Sequence, residues 1–328
     1  MTELLFAPRS VAPVALCRAA WGLLVAVWAL TLIPDVPDLV AGGSLAHPVD
    51  GLGRWNPVAT VTGPTGLTLV CLAVVAGGLL TSVGLWTTAS TAATWLGVVG
   101  LQRTSPLVIN SGDVLIRHLG LVLVFAPAGA MLSVDARRRA RRGVVRSTRR
   151  APVALRYLQL FVATGYLWSA LAKLRGPSWH DGTAMALALR IDDMQRVALP
   201  DWVFDQTVAL NLLTWAVLGF ELFFCAAVWN RALRPWVLGA GIVLHAGIEV
   251  LVDVGFFSWA VMVAYLSFVP FETADHVVEA IEARLARLAR LGRARPATAT
   301  VPVRAAGSGV ATAGADVAER RAAAPPSP

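Results

Sequence analysis

Apolar residues run through this chain in long blocks broken by short polar stretches, and eight blocks are long enough to read as membrane helices. They cover Val14 to Ile33, Pro64 to Gly84, Trp86 to Arg103, Val114 to Ser133, Val153 to Leu174, Val208 to Trp229, Trp236 to Val254 and Phe256 to Pro270. The pattern predicts an all-α fold: a polytopic integral membrane helical bundle of about eight transmembrane helices. Very short turns join the second block to the third and the seventh to the eighth. After Pro270 the pattern changes. Val277, Val278, Ile281, Leu285, Leu288 and Leu291 alternate with Glu279, Glu282, Arg284, Arg287 and Arg290 at helical spacing, which predicts an amphipathic helix on a membrane surface. Beyond Arg295 the chain is Ala, Pro, Thr, Ser and Gly with scattered charge, too poor in large apolar groups to fold. The expected organisation is a membrane domain over 1–273, an amphipathic cytoplasmic helix over 274–295 and a disordered tail over 296–328.

Composition supports a bilayer setting. The 328 residues are 56% hydrophobic and only 15% charged, more apolar surface than one soluble core hides. A net charge of +8 would suggest nucleic acid in a soluble protein, but here the arginines cluster in loops beside apolar blocks, so no nucleic-acid partner is expected. The linker from Asp135 to Pro152 carries Arg137, Arg138, Arg139, Arg141, Arg142, Arg146, Arg149 and Arg150, and the positive-inside rule places it in the cytoplasm. Arg9, Arg18, Arg231, Arg234 and the arginines after Pro270 fall on the same side. An even number of spans follows, with both termini cytoplasmic in a multi-pass protein of the cell membrane. The first apolar block lacks a small-residue cleavage site and is expected to remain as an anchor. Cys17, Cys71 and Cys225 have no paired spacing, which indicates neither a disulfide framework nor a metal site.

Among 28 cationic side chains Lys173 is the only lysine, at the end of the fifth block. Where charge alone is needed this chain uses arginine, whose guanidinium stays protonated; a lysine supplies an amine able to lose its proton. The competing reading is an interfacial lysine that snorkels. Gln159, Tyr166 and Lys173 share a helix face at heptad spacing, with Arg156 and Thr164 close by. His245, Glu249 and Asp253 follow at i, i+4, i+8 on the seventh block, a polar track descending from the outer surface. If the two faces meet, Lys173 and Asp253 share one cavity. Glu221, Arg117 and His118 are candidate partners across the bundle, and Trp179, His180 and Asp181 stand in the outer loop. Polar groups at membrane depth are costly, so the track is either a set of interhelical clamps or a proton path. Asn110 to Asp113 reads as a helix cap.

The residues Leu155 to Gln159, Tyr166, Ala172-Lys173-Leu174, Trp179 and Asp181-Gly182 together resemble the core signature of the HTTM superfamily, the membrane domain shared with vitamin K-dependent gamma-carboxylases. Ser111-Gly-Asp113, Ser133-Val-Asp135-Ala-Arg137, Glu221, His245 and Tyr265 to Pro270 are similar to further parts of that pattern, in order over roughly Arg18 to Pro270. The resemblance implies that Lys173 is the base that deprotonates a reduced quinone of the vitamin K or menaquinol kind. The strand-rich lumenal region of the carboxylases has no counterpart here, so peptide carboxylation does not follow. Three functions stay open: a membrane enzyme acting on a quinol-like lipid, a proton or ion translocator, and a noncatalytic membrane partner or immunity protein of a secreted-peptide system in a bacterial inner membrane. The expected partners are membrane lipids, an isoprenoid quinone, and a secreted peptide or partner protein.

Overall fold

The computed structural model describes residues 2–41, 55–61, 63–104, 109–144 and 147–293. The expected disordered tail, 296–328, lies outside these residues. Each apolar block contains a helix: α1 (Ala12–Thr31), α2 (Gly63–Val83), α3 (Thr87–Thr104), α4 (Ser111–Phe125), α6 (Val153–Lys173), α7 (Thr207–Ala227), α8 (Arg234–Leu251) and α9 (Phe257–Tyr265). A short helix α5 (Val134–Arg141) lies between α4 and α6, and the amphipathic helix α10 (Phe271–Arg293) begins three residues before Ala274. Strand pairing among the described residues is limited to the two-residue β1 (Arg9–Ser10) with β2 (Arg149–Arg150) and an isolated bridge between Gln195 and Val252. One compact unit runs to Leu285, and the residues from Ala286 onward form another.

Among the described residues, α1, α2, α7 and α8 are each long and apolar enough to cross a membrane alone. A fifth candidate arises if Phe257–Phe268 and Phe271–Arg290, which meet at 110°, count as one broken span. The other blocks give helices with identifiable departures. In α3 the residues Thr87, Ser90, Thr91 and Thr94 lower the hydropathy; α4 ends at Phe125, short of Ser133; and α9 has 9 residues, about 14 Å of rise. Ser133 instead caps α5, its hydroxyl accepting from Ala136 N at 2.9 Å.

The buried core is centred on α1. Its Gly22 packs on Gly78 of α2 so closely that a Cβ at Gly22 would lie 2.6 Å from Gly78 O, and a Cβ at Gly78 2.6 Å from Gly22 O. Helices without a hydrophobic force between them associate through such small-residue approaches. On the opposite side, Trp21 fills the space left by Gly120 and donates Nε1–H to Ile116 O at 2.8 Å. Trp28 donates to Asp113 Oδ1 at 3.0 Å, while Asp113 and Asn110 complete a capping box at the start of α4.

At the arginine-rich end, Arg18 is fully buried. Its guanidinium donates to Thr81 O (2.5 Å), Ser82 O (3.0 Å) and Leu132 O (2.5 Å), closing off carbonyls at the end of α2 and in the α4–α5 connection. Gly84 turns between α2 and α3 at φ 70°, with Ser133 and Arg18 so near that any Cβ would collide. Asp135 then caps α3 from another helix, accepting from Trp86 N (3.0 Å), Thr87 N (2.7 Å) and Thr87 Oγ1 (2.8 Å). Burial pushes this carboxyl up, but the Thr87 and Trp86 donors and the charge of Arg139 outweigh it and hold Asp135 below the usual aspartate range.

A carboxyl depressed in the folded state contributes stability above its unfolded pKa, and the contribution is lost as pH falls through the lowered folded value. Asp135→Asn, which keeps the shape of the cap, is expected to destabilise the detergent-purified protein by about 1 kcal/mol at neutral pH. The difference from wild type should shrink once the pH is below the ordinary aspartate range of about 4. Thermal unfolding of both proteins at neutral and acid pH checks this; an equal gap at both would show that the charge is immaterial.

Candidate functional site

Helix α6 is two-faced. Leu155, Leu158, Gln159, Val162, Ala163, Tyr166 and Ala170 are buried, whereas Tyr157, Leu160, Leu167, Trp168 and Leu171 face outward. This stripe sets Gln159, Tyr166, Ser169 and Lys173 in ascending order along the seams with α7 and α9.

At the top of the stripe Lys173 Nζ donates to Glu221 Oε1 at 2.7 Å and to Ser169 Oγ at 2.7 Å, and Ser169 Oγ donates to the same carboxylate oxygen at 3.2 Å. The ammonium also stands 5.1 Å from the ring centre of Trp179. The second carboxylate oxygen, Glu221 Oε2, is buried with no hydrogen-bond partner among the described residues. Lys173 and Glu221 side chains are 22% and 10% exposed, so the pair is sheltered rather than spread on an open surface. Its depth is informative. Glu221 lies about 21 Å along α7 from Thr207, so α7 continues well past the end of α6. The one-turn helix Pro177–His180 and the short helix Ala184–Ala188 pack beside that extension, where Thr214 Oγ1 donates to Gly182 O at 2.7 Å and accepts from Met185 N at 3.1 Å.

Two turns lower, Tyr166 OH meets His245 Nε2 at 2.7 Å and also the hydroxyl of Tyr265. Phe220 and Phe224 flank Tyr166, Phe257 flanks His245, and Gly241 leaves the room that Tyr265 OH occupies. Whichever way the protons run along this chain, His245 Nδ1 stays buried and unpartnered among the described residues. Below it, Gln159 Nε2 donates to Ser267 O at 2.6 Å while Arg156 donates to Gln159 Oε1 at 2.7 Å.

The structure thus brings Gln159, Tyr166, Lys173, Glu221, His245 and Trp179 to one seam. Glu249 and Asp253 stand apart from it. Helix α8 ends at Leu251 and Val252 is extended, so Asp253 is not the third step of a helical stack. Both carboxylates bind Arg196 instead, at 2.9 Å and 3.1 Å, beside the backbone bonds Arg196 N to Leu251 O (3.1 Å) and Asp253 N to Met194 O (2.7 Å). The carboxylate beside Lys173 is therefore Glu221 and not Asp253. Arg117 reaches Gln102 Oε1 at 3.4 Å, and His118 bonds Val114 O at 2.7 Å and stacks on Phe161. His180 bonds Leu174 O at 2.6 Å, and Asp181 accepts from the hydroxyl and amide of Thr183, which hold its carboxyl below the ordinary range. These four residues lie outside the cluster around Lys173.

Sequence reasoning missed Ser169 and Arg196. Ser169 was findable, since it falls three residues after Tyr166 and four before Lys173 on the same face. Arg196 carries no such signal: its partners arrive through a loop whose path no spacing encodes. Replacing Tyr166 by Phe strands His245 Nε2 and the Tyr265 hydroxyl, at an expected cost of about 1–3 kcal/mol. The double variant Tyr166→Phe/Tyr265→Phe is expected to cost less than the sum of the two single changes. Unfolding in detergent measures all three; strict additivity would mean that the hydroxyls do not act together.

The sequence profile of a family described as the HTTM domain matches residues 59–272. No curated protein and no solved structure matches the chain.

Proposed function

Because the chain belongs to the HTTM domain family, we propose that it is a multi-pass protein of the cell membrane whose eight apolar blocks all lie within the bilayer region. Both termini then lie on the cytoplasmic side, and the function is that of a membrane enzyme acting on a quinol-like lipid. In this arrangement α3, α4, α6 and α9, too polar or too short to stand alone in lipid, are sheltered by α1, α2, α7 and α8. Irregular or short elements at membrane depth are tolerated where protein surrounds them. The asymmetric distribution of arginine supports the orientation.

The observation that carries the catalytic reading is the amine of Lys173 clasped by Ser169 and Glu221, with Glu221 Oε2 buried and unpartnered. A buried ion pair is weak evidence for stability, since apolar residues of similar size often do as well. What the pair adds is an amine held beside a buried carboxylate oxygen that has no partner among the described residues. A phenolic hydroxyl suits that acceptor, and the aromatic rings of Phe220, Tyr166 and Trp179 suit a flat ring beside it. A reduced quinone combines both features with an isoprenoid tail that lipid accommodates, and it supplies the acidic O–H; Lys173 and Glu221 take up its proton and Ser169 fixes the amine. Arginine cannot replace Lys173 in this role, because the guanidinium holds its proton. A continuous proton relay through His245, Glu249 and Asp253 gains no support from the geometry, since Arg196 ties up the last two.

Titration of detergent-purified protein with menaquinol, followed by quenching of tryptophan fluorescence, tests the proposal. Lys173→Ala and Glu221→Gln are expected each to weaken binding by roughly ten-fold or more, the loss of one charge-assisted hydrogen bond. Lys173→Arg keeps the charge and should retain part of the binding. Unchanged affinity in both Lys173→Ala and Glu221→Gln would sink the reading.

A further inference from the structure

At the arginine-rich end of the bundle four guanidiniums converge on the seam between α6 and α8. Arg156 leaves the first turn of α6 and is fixed by Gln159 Oε1 at 2.7 Å; Gln159 in turn holds Ser267 O. The neighbouring Phe268 packs edge-to-face on Trp229 at 5.9 Å. Arg234, the first residue of α8, donates to Val228 O at 2.9 Å and Trp229 O at 3.4 Å. Arg156 and Arg234 are thereby pinned on either side of the Trp229–Phe268 contact. Arg9 joins them from β1 and Arg231 from the α7–α8 turn, so that Arg156 stands in the repulsive field of Arg234 and Arg9, and Arg234 in that of Arg231.

Among the described residues none of the four forms an ion pair with a carboxylate. Asp275, which reaches the same strand, is taken by the Ser10 hydroxyl. Arg156 Nε is buried and has no hydrogen-bond partner among the described residues. Like charges held together at the edge of an apolar bundle repel, and the arrangement is costly unless an anion completes it. Tyr157 follows Arg156 in the chain, Trp236 comes two residues after Arg234 and Trp229 O accepts from Arg234; these amphipathic rings, 49%, 79% and 37% exposed, are of the kind that favours the headgroup level of a bilayer.

We infer that Arg9, Arg156, Arg231 and Arg234 form a binding site for the phosphate of an anionic phospholipid, seated between α6 and α8 on the arginine-rich side. The planar forks of Arg156 and Arg234 match the phosphate oxygens, and the acyl chains lie along the outward apolar face of α6. Basic pockets between membrane helices hold anionic headgroups by the same physics. Among the described residues the exposed arginines of α5, Arg138 and Arg141, make no hydrogen bond that fixes their guanidiniums. The inference rests on the membrane reading above but is independent of the chemistry at Lys173.

Native mass spectrometry of the full chain in detergent, with phosphatidylglycerol or cardiolipin competing against phosphatidylcholine, tests it. Wild type should retain anionic lipid preferentially. Arg156→Gln/Arg234→Gln should lower that retention roughly thirty-fold, whereas Arg138→Gln/Arg141→Gln should leave it near the wild-type level. Arg156→Lys/Arg234→Lys keeps the charge and should retain part of the preference, which separates a lost site from a lost fold. Several outcomes would overturn the inference: equal retention of both lipid classes by wild type, equal losses in the two Gln pairs, or displacement of the lipid by millimolar inorganic phosphate with no cost in stability. Menaquinol binding by the same variants should be unchanged, so failure here and failure at Lys173 can be told apart.

Discussion

Every polar group in this bundle that lies at apolar depth has to find its partner inside the protein, and this demand organises the structure more than any single apolar contact. Lipid supplies no hydrogen bonds, so an unpaired carbonyl or charge there costs several kcal/mol. Arg18 meets the demand at one end by closing carbonyls from two segments. Trp21 and Gln102 meet it by donating to carbonyls of α4, at 2.8 Å and 2.9 Å. The hydroxyls of Thr81, Ser90 and Thr94 meet it between α2 and α3 by bonding one another and the α3 backbone. Some buried side-chain atoms are left without a hydrogen-bond partner among the described residues: Arg18 Nε, Arg156 Nε, Glu249 Oε2, Ser258 Oγ and Ser267 Oγ, and with them Glu221 Oε2 and His245 Nδ1. Glu221 and His245 both meet the polar stripe of α6, at Lys173 and at Tyr166.

The seam joins two polar groups of different exposure. Tyr166, Tyr265 and His245 are buried and in contact with the rings of Phe220 and Phe224. Lys173 and Glu221 are more exposed, at 22% and 10% of their side chains, and Trp179 from the connection after α6 stands 5.1 Å from the amine. The residues matched by the HTTM domain family, 59–272, include this seam and the chain's single lysine.

Much of the helical architecture was legible in the sequence, because apolar blocks of bilayer length leave few other folds. The individual ends were less so. Ser133 reads as the end of an apolar run, yet its hydroxyl serves as a cap, a local bond that hydropathy does not register. The heptad of Gln159, Tyr166 and Lys173 predicted a shared face, and the face exists; Glu221, expected as a partner of the His245 track, bonds Lys173 instead, and His245 bonds Tyr166. The stack of His245, Glu249 and Asp253 fails at its third step because α8 unwinds at Val252 to pair with Gln195, an arrangement that depends on residues more than fifty positions away. Arg18 was read only as one more positive charge. Its burial depends on the approach of three segments, and no local pattern announces it.

The tight connection through Gly84 has a practical side. Short surface turns are ordinarily the places where a chain accepts insertions, tags or fusion partners. This one does not qualify: its left-handed glycine is packed against Ser133 and Arg18, and the carbonyl of Gly84 itself accepts from Asp135 N at 3.0 Å. An engineer seeking an editable loop on this face should avoid the apparent hairpin and look to Gly143, where a Cβ added to a left-handed glycine would meet nothing within 4 Å.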